Sequence, residues 1–143
     1  SINLPNSITS IGGSVFSGCS SLKSITLPEG VTSICEFTFS GCSSLTSITL
    51  SNNVKSIDGY VFYGCDSLTS ITLPKNVKSI DYFAFKKCDN LESIEVSSAN
   101  PYFKSIDGVL YNKDGSKLIF YPPGKKRSKN DEIWIYLHYL ELL

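Results

Sequence analysis

Polar and apolar residues alternate in a unit that returns along most of this chain. Leu22, Leu45, Leu68 and Leu91 fall 23 residues apart; so do Ile25, Ile48, Ile71 and Ile94, and Leu27, Leu50, Leu73 and Val96. Within each unit the order Ser-Ile-Thr-Leu puts hydroxyls at one parity and aliphatics at the other, as in a strand with one buried face. Matched columns at one period predict stacked rungs, none of which buries its apolar residues alone. A second apolar pair follows at Ile8/Ile11, Val31/Ile34, Val54/Ile57 and Val77/Ile80, then an aromatic at Phe16, Phe39, Phe62 and Phe85. Pro5, Pro28 and Pro74 end the strands, since proline has no N–H for a ladder; Ser51 holds that place in the third unit. Gly18, Gly41 and Gly64 suit the tight turn into the next rung, where the fourth unit has Lys87. No stretch keeps a 3.6-residue period, so short turns or single 3₁₀ turns are expected near 14–18 and its equivalents, not helices.

The units are 1–23, 24–46, 47–69 and 70–92, followed by a variant unit over 93–124 and a linker with an atypical tail over 125–143. The variant unit gains residues near Ala99-Asn100-Pro101 and loses one after Asp107-Gly108. A β-hairpin is expected over 110–118, turning at Lys113-Asp114-Gly115. The tail carries Trp134 and many apolar residues and does not fit the repeat. The chain opens in mid-pattern at Ser1, which reads as an N-terminus cut from a longer precursor; the lack of a signal peptide then says nothing about location.

The unit Leu-x-x-Ile-x-Leu-Pro-x-x-Val-x-Ser-Ile-x-x-x-x-Phe-x-x-Cys, seen at 45–65 with Ser51 for the proline, resembles the BspA-like class of leucine-rich repeats. The resemblance covers about residues 1–124, and the stretch 100–115 is similar to a variant unit found in such arrays. It implies a leucine-rich-repeat solenoid, mainly β, with a parallel sheet on the concave face and short turns on the convex side. It also implies a cell-surface or extracellular protein that binds matrix proteins or other cells.

Composition narrows the chemistry. The chain has 143 residues, with 13 Lys plus Arg against 13 Asp plus Glu, so no net field draws it to nucleic acid or acidic lipid. No apolar run is long enough to span a membrane. Of five cysteines, Cys19, Cys42, Cys65 and Cys88 share one repeat position. Rungs about 4.8 Å apart would hold their Cβ vectors parallel, which suits buried free thiols and not bridges. Ligands laid along a line also do not converge on a metal. Asp58 and Asp81 stand one rung apart and are read as turn hydrogen-bonders, with no Asp-x-Asp loop to hold calcium. The one histidine, His138, lies in the tail with no catalytic partner evident, and no glycine-rich phosphate loop or other cofactor motif occurs. Lys75, Lys78, Lys86 and Lys87 gather in the fourth unit beside acidic residues, a solvated mixed-charge surface.

What remains is the outward face of the main sheet. It should show Ser24, Ser47, Ser70 and Ser93 in one row and Thr26, Thr49, Thr72 and Glu95 in the next, with Phe120 continuing that row. Such rows can lay many weak polar contacts on a protein or glycan of a host or neighbouring cell; they are also what any soluble strand displays. The expectation is a non-enzymatic interaction module with no metal or cofactor. The alternative is a structural spacer within a larger surface protein. Open sheet edges, or the apolar tail, could in addition join two copies of the chain.

Overall fold

The computed structural model describes residues 2–126. His138, Trp134 and the rest of the tail lie outside the described residues. Among those described no helix forms, so none is long and apolar enough to cross a membrane.

Each 23-residue unit is one rung. Its Ser-Ile-Thr segment forms a short strand of the main sheet: β1 (Ser24–Thr26), β3 (Ser47–Thr49), β5 (Ser70–Leu73) and β7 (Ser93–Val96). Pairing is parallel and like-on-like: Ser24 faces Ser47, Ile25 faces Ile48 and Thr26 faces Thr49; Ile71 likewise faces Ile94. Ile2 adds one parallel bridge to Ile25 at the start of the stack. The sheet is not continuous, because β1 pairs with β3 and β5 with β7, and no ladder joins β3 to β5.

The chain then turns at Leu-Pro. Val31 N–H donates to the Pro28 carbonyl and Val77 N–H to that of Pro74; Val54 makes the same bond to Ser51, so serine serves where proline is usual. The Ser-Ile pair forms a second parallel ribbon from β2 (Ser33–Ile34), β4 (Ser56–Ile57) and β6 (Ser79–Ile80). Tight turns follow, not 3₁₀ helix, and they too are laddered. Phe16 N–H reaches Thr38 C=O at 3.0 Å, Phe39 reaches Val61 at 3.0 Å and Phe62 reaches Ala84 at 2.9 Å. Gly18, Gly41 and Gly64 have φ of +70 to +74°, and Lys87 adopts the same left-handed conformation at +63°.

The core is a set of columns. Leu45, Leu68 and Leu91 are fully buried, as are Val31, Val54 and Val77. Phe16, Phe39, Phe62 and Phe85 stack with centroids 5.5, 5.9 and 5.5 Å apart and planes within 7° of parallel. The cysteine column explains itself in the same terms. Cys42, Cys65 and Cys88 are buried free thiols, and each S–H donates to the carbonyl of the phenylalanine one rung back, at 3.2, 3.2 and 2.9 Å. A thiol therefore fills apolar space and also satisfies a buried carbonyl. Burial pushes Cys42 up to about 11 and Cys88 to about 12, and raises Cys65 as well, with neighbouring thiols adding to the rise at Cys42 and Cys65.

The variant unit adds an antiparallel sheet of β8 (Phe103–Ile106), β9 (Val109–Asn112) and β10 (Leu118–Phe120), in the order β10-β9-β8. The hairpin expected over 110–118 is the β9–β10 pair, with Gly115 at φ +76°. A second hairpin, β8–β9, turns on Asp107 and Gly108, both left-handed at +52° and +79°. Two consecutive left-handed residues make the primed turn that two-residue hairpins favour. Its tip docks on β7: Ile94 N–H donates to Gly108 C=O at 2.8 Å, and Ser105 Oγ–H donates to Ile94 C=O at 2.6 Å. Asn100 occupies the valine column and is fully buried. Its amide donates to the carbonyls of Pro74 and Val77 at 3.0 and 2.9 Å and accepts from the N–H groups of Tyr102 and Phe103 at 2.7 and 3.0 Å.

Candidate functional site

The hydroxyl rows stand where the alternation put them. Ile25, Ile48, Ile71 and Ile94 point into the core, which forces their neighbours outward. Thr26, Thr49, Thr72 and Glu95 are exposed, as are Ser47 and Ser70; Ser24 and Ser93 are half-exposed. Thr72 lies opposite Glu95 and Ser70 opposite Ser93 in the ladder, and Ser93 Oγ–H donates to Glu95 Oε1 at 2.9 Å. The structure therefore brings eight of the nine candidate residues onto one face in two rows.

Phe120, expected in the threonine row, lies elsewhere. It belongs to β10 of the antiparallel sheet, and its ring sits 5.6 Å from that of Phe85 at 41°. It caps the phenylalanine stack and does not continue the threonine row. The reversal at Asp107-Gly108 is the cause, since it breaks the one-direction register from which the row was extrapolated. The same hairpin also fills the outer edge of β7 at Ile94, so that part of the sheet edge is not open to a second copy.

Among the described residues, no group of three or more His, Cys, Asp or Glu is placed to hold a metal ion. Asp81 Oδ1 accepts from Phe83 N–H at 2.8 Å, a local turn bond. Lys86 Nζ lies 5.1 Å from the centre of the Phe83 ring.

One surface feature escaped the sequence reading. Phe37, Tyr60 and Phe83 also recur every 23 residues, on the side away from the main sheet, and stack at 5.1 and 5.6 Å. Phe37 and Phe83 are 39% and 42% exposed, and Tyr82 beside them 66%. Phe37 and Tyr60 hold φ of +60° and +57°, strained for bulky residues. The signal was the shared 23-residue spacing of 37, 60 and 83, hidden because residue 14 of the first unit is a serine.

The comparisons with known proteins agree with this architecture. The pattern of the BspA type leucine rich repeat region matches residues 1–108 in 6 copies. A leucine rich cell surface protein from Faecalibacterium prausnitzii is 31% identical, with a TM-score of 0.71 over 84% of this chain and 38% of its own. The pneumococcal vaccine antigen PcpA is 33% identical, with a TM-score of 0.70 over 74% of this chain and 27% of its own. A leucine-rich repeat protein from Eubacterium ventriosum is 31% identical, with a TM-score of 0.66 over 83% and 37%. The chain thus spans less than two fifths of the length of each of these relatives. No curated protein matches it. With the repeat, the register and the family pattern in agreement, the chain belongs to the BspA-type leucine-rich repeat family.

Proposed function

We propose that this chain is a non-enzymatic interaction module of a cell-surface leucine-rich-repeat protein. It binds a protein or glycan of a host or neighbouring cell through the exposed face of the main sheet. The observation that carries the reading is the two polar rows, in register within each half of the sheet: Ser24 beside Ser47 and Thr26 beside Thr49, then Ser70 beside Ser93 and Thr72 beside Glu95. Repetition at one strand spacing offers a ligand many equivalent weak contacts, whose sum can exceed what any one supplies. The F. prausnitzii relative is described as a cell surface protein, which supports the location.

The test is a pair of charge-introducing substitutions in mid-face, Thr49→Arg and Thr72→Arg, read by binding of the purified chain to intact host or bacterial cells. Binding should fall at least about tenfold in each. Unchanged binding in both would remove the sheet face from consideration. The spacer reading draws on one fact, that the chain matches only a fraction of each relative's length. A longer parent protein that binds cells while this chain does not, at equal concentration, would favour it.

A further inference from the structure

We infer that the open seam between β3 and β5 is a subsite for a neutral, hydroxyl-rich oligosaccharide; the inference rests on the sheet-face reading and narrows its ligand. At the flanking seams the backbone is paired. Leu27 N–H donates to Thr49 C=O at 3.0 Å, and Thr46 N–H to Lys23 C=O at 2.9 Å; Glu92 N–H reaches Thr69 C=O at 2.8 Å. One repeat further on from the first two, the equivalent bonds from Leu50 to Thr72 and from Thr69 to Thr46 are not made. A groove of about 420 Å³ opens there, with Thr49, Ser70, Thr72 and Asn52 on its walls, Ile48 and Ile71 at its floor, and no charged side chain in its lining. Ile48 and Leu50 are each 9% exposed, against 3% for Ile71 and 0% for Leu73.

The unpaired N–H and C=O groups at the groove bottom must be bonded by water or by a ligand. The rungs cannot part to admit a peptide strand, which would need β3 and β5 about 9.6 Å apart, two strand spacings. Bonds elsewhere along the two rungs prevent it: Lys78 N–H to Lys55 C=O at 2.9 Å and Phe62 N–H to Ala84 C=O at 2.9 Å on the far side, and Asn76 Nδ2–H to Asn52 C=O at 2.5 Å at the groove's end. A sugar hydroxyl fits the narrower gap. It can donate to a carbonyl on one strand while accepting from an N–H on the other, which neither half of a peptide group can do. The uncharged lining selects against sulfated or carboxylated glycans, which would lose hydration there without a cation in return.

The test uses the full chain and amide-resolved NMR. Without ligand, the amides of Ser70 and Thr72, which face the seam, should exchange with solvent at least about tenfold faster than those of Ser93 and Glu95, which face the closed β5–β7 ladder. Titration with maltohexaose, cellohexaose and xylohexaose should, for at least one of them, shift the amides of residues 48–50 and 70–72 and spare 24–26. The double variant Thr49→Val/Thr72→Val should weaken that sugar at least about fivefold, and Thr26→Val should leave it unchanged. Equal protection of Ser70 and Thr72 with Ser93 and Glu95, or no shift at the seam with any of the three sugars, overturns the proposal. If Thr49→Arg and Thr72→Arg abolish cell binding while no sugar moves the seam amides, the sheet face stands and this subsite falls. If a sugar moves the seam while both variants still bind cells, the subsite stands and the face as a cell-binding surface falls.

Discussion

A single rung position decides how much one side chain matters. Phe62 is fully buried with a ring above and a ring below, so Phe62→Ala opens a cavity that the flanking rings cannot fill. We expect a loss of about 3–5 kcal/mol by urea unfolding. Lys87 is the opposite case, a side chain in the conformation that glycine holds in the other units. Lys87→Gly should stabilise the chain by up to about 1 kcal/mol, seen as a higher urea midpoint with an unchanged slope. The cysteine column sets an alkaline limit. Its inner thiols titrate near 11 and 12 when folded, against about 8.5 in an unfolded chain. Because folding raises these values, the stabilisation is whole below about pH 8.5 and is lost as the pH rises through the folded values. Urea midpoints should hold flat to about pH 8.5 and then fall. In a variant carrying Cys42→Ser, Cys65→Ser and Cys88→Ser the fall should be shallower, since serine keeps a donor and does not titrate there.

Among the elements, the antiparallel sheet separates what could be read from what could not. The strands and turns of the regular units were legible because Ile and Leu alternate with Ser and Thr at a fixed period. The variant unit was half legible. Its β9–β10 hairpin is announced by Lys113-Asp114-Gly115, whereas the Asp107-Gly108 signal of β8–β9, strong by itself, is masked by the repeat register around it. Taken as one missing residue in the repeat, Asp107-Gly108 concealed a reversal of direction, and Phe120 was misplaced with it. Asn100 was not singled out either, since a polar residue in an insertion looks like loop. Its four hydrogen bonds tie the fifth unit to the fourth and to its own first strand. Asn100→Ala should cost about 2–4 kcal/mol by thermal or urea melts, and Asn100→Asp should not rescue it because a carboxylate cannot donate to the Pro74 and Val77 carbonyls. The open seam between β3 and β5 had no sequence signal at all. The two strands carry the same Ser-Ile-Thr, and side-chain pattern does not encode which backbone ladders close.

For the molecule as a whole, one dimension governs: each rung touches the next, and stability and surface both follow from that order. The sheet ladder, the Ser-Ile ribbon, the turn ladder, the thiol bonds and the phenylalanine stack repeat the same neighbour relation. The antiparallel sheet interrupts it by reversing the chain and laying Phe120 on Phe85. The candidate face was legible at this scale because the strand alternation that buries the isoleucines also exposes the hydroxyls. Its ligand was not, because Ser and Thr serve solubility and recognition alike. The most direct test of the stacking is a set of double-mutant cycles with Phe→Leu at Phe39, Phe62 and Phe85, measured by urea unfolding. Adjacent pairs Phe39/Phe62 and Phe62/Phe85 should couple by about 0.5–1.5 kcal/mol, and Phe39/Phe85, two rungs apart, by less than about 0.5. Coupling as strong across two rungs as across one, or none between neighbours, would contradict the in-register stack on which the binding face depends.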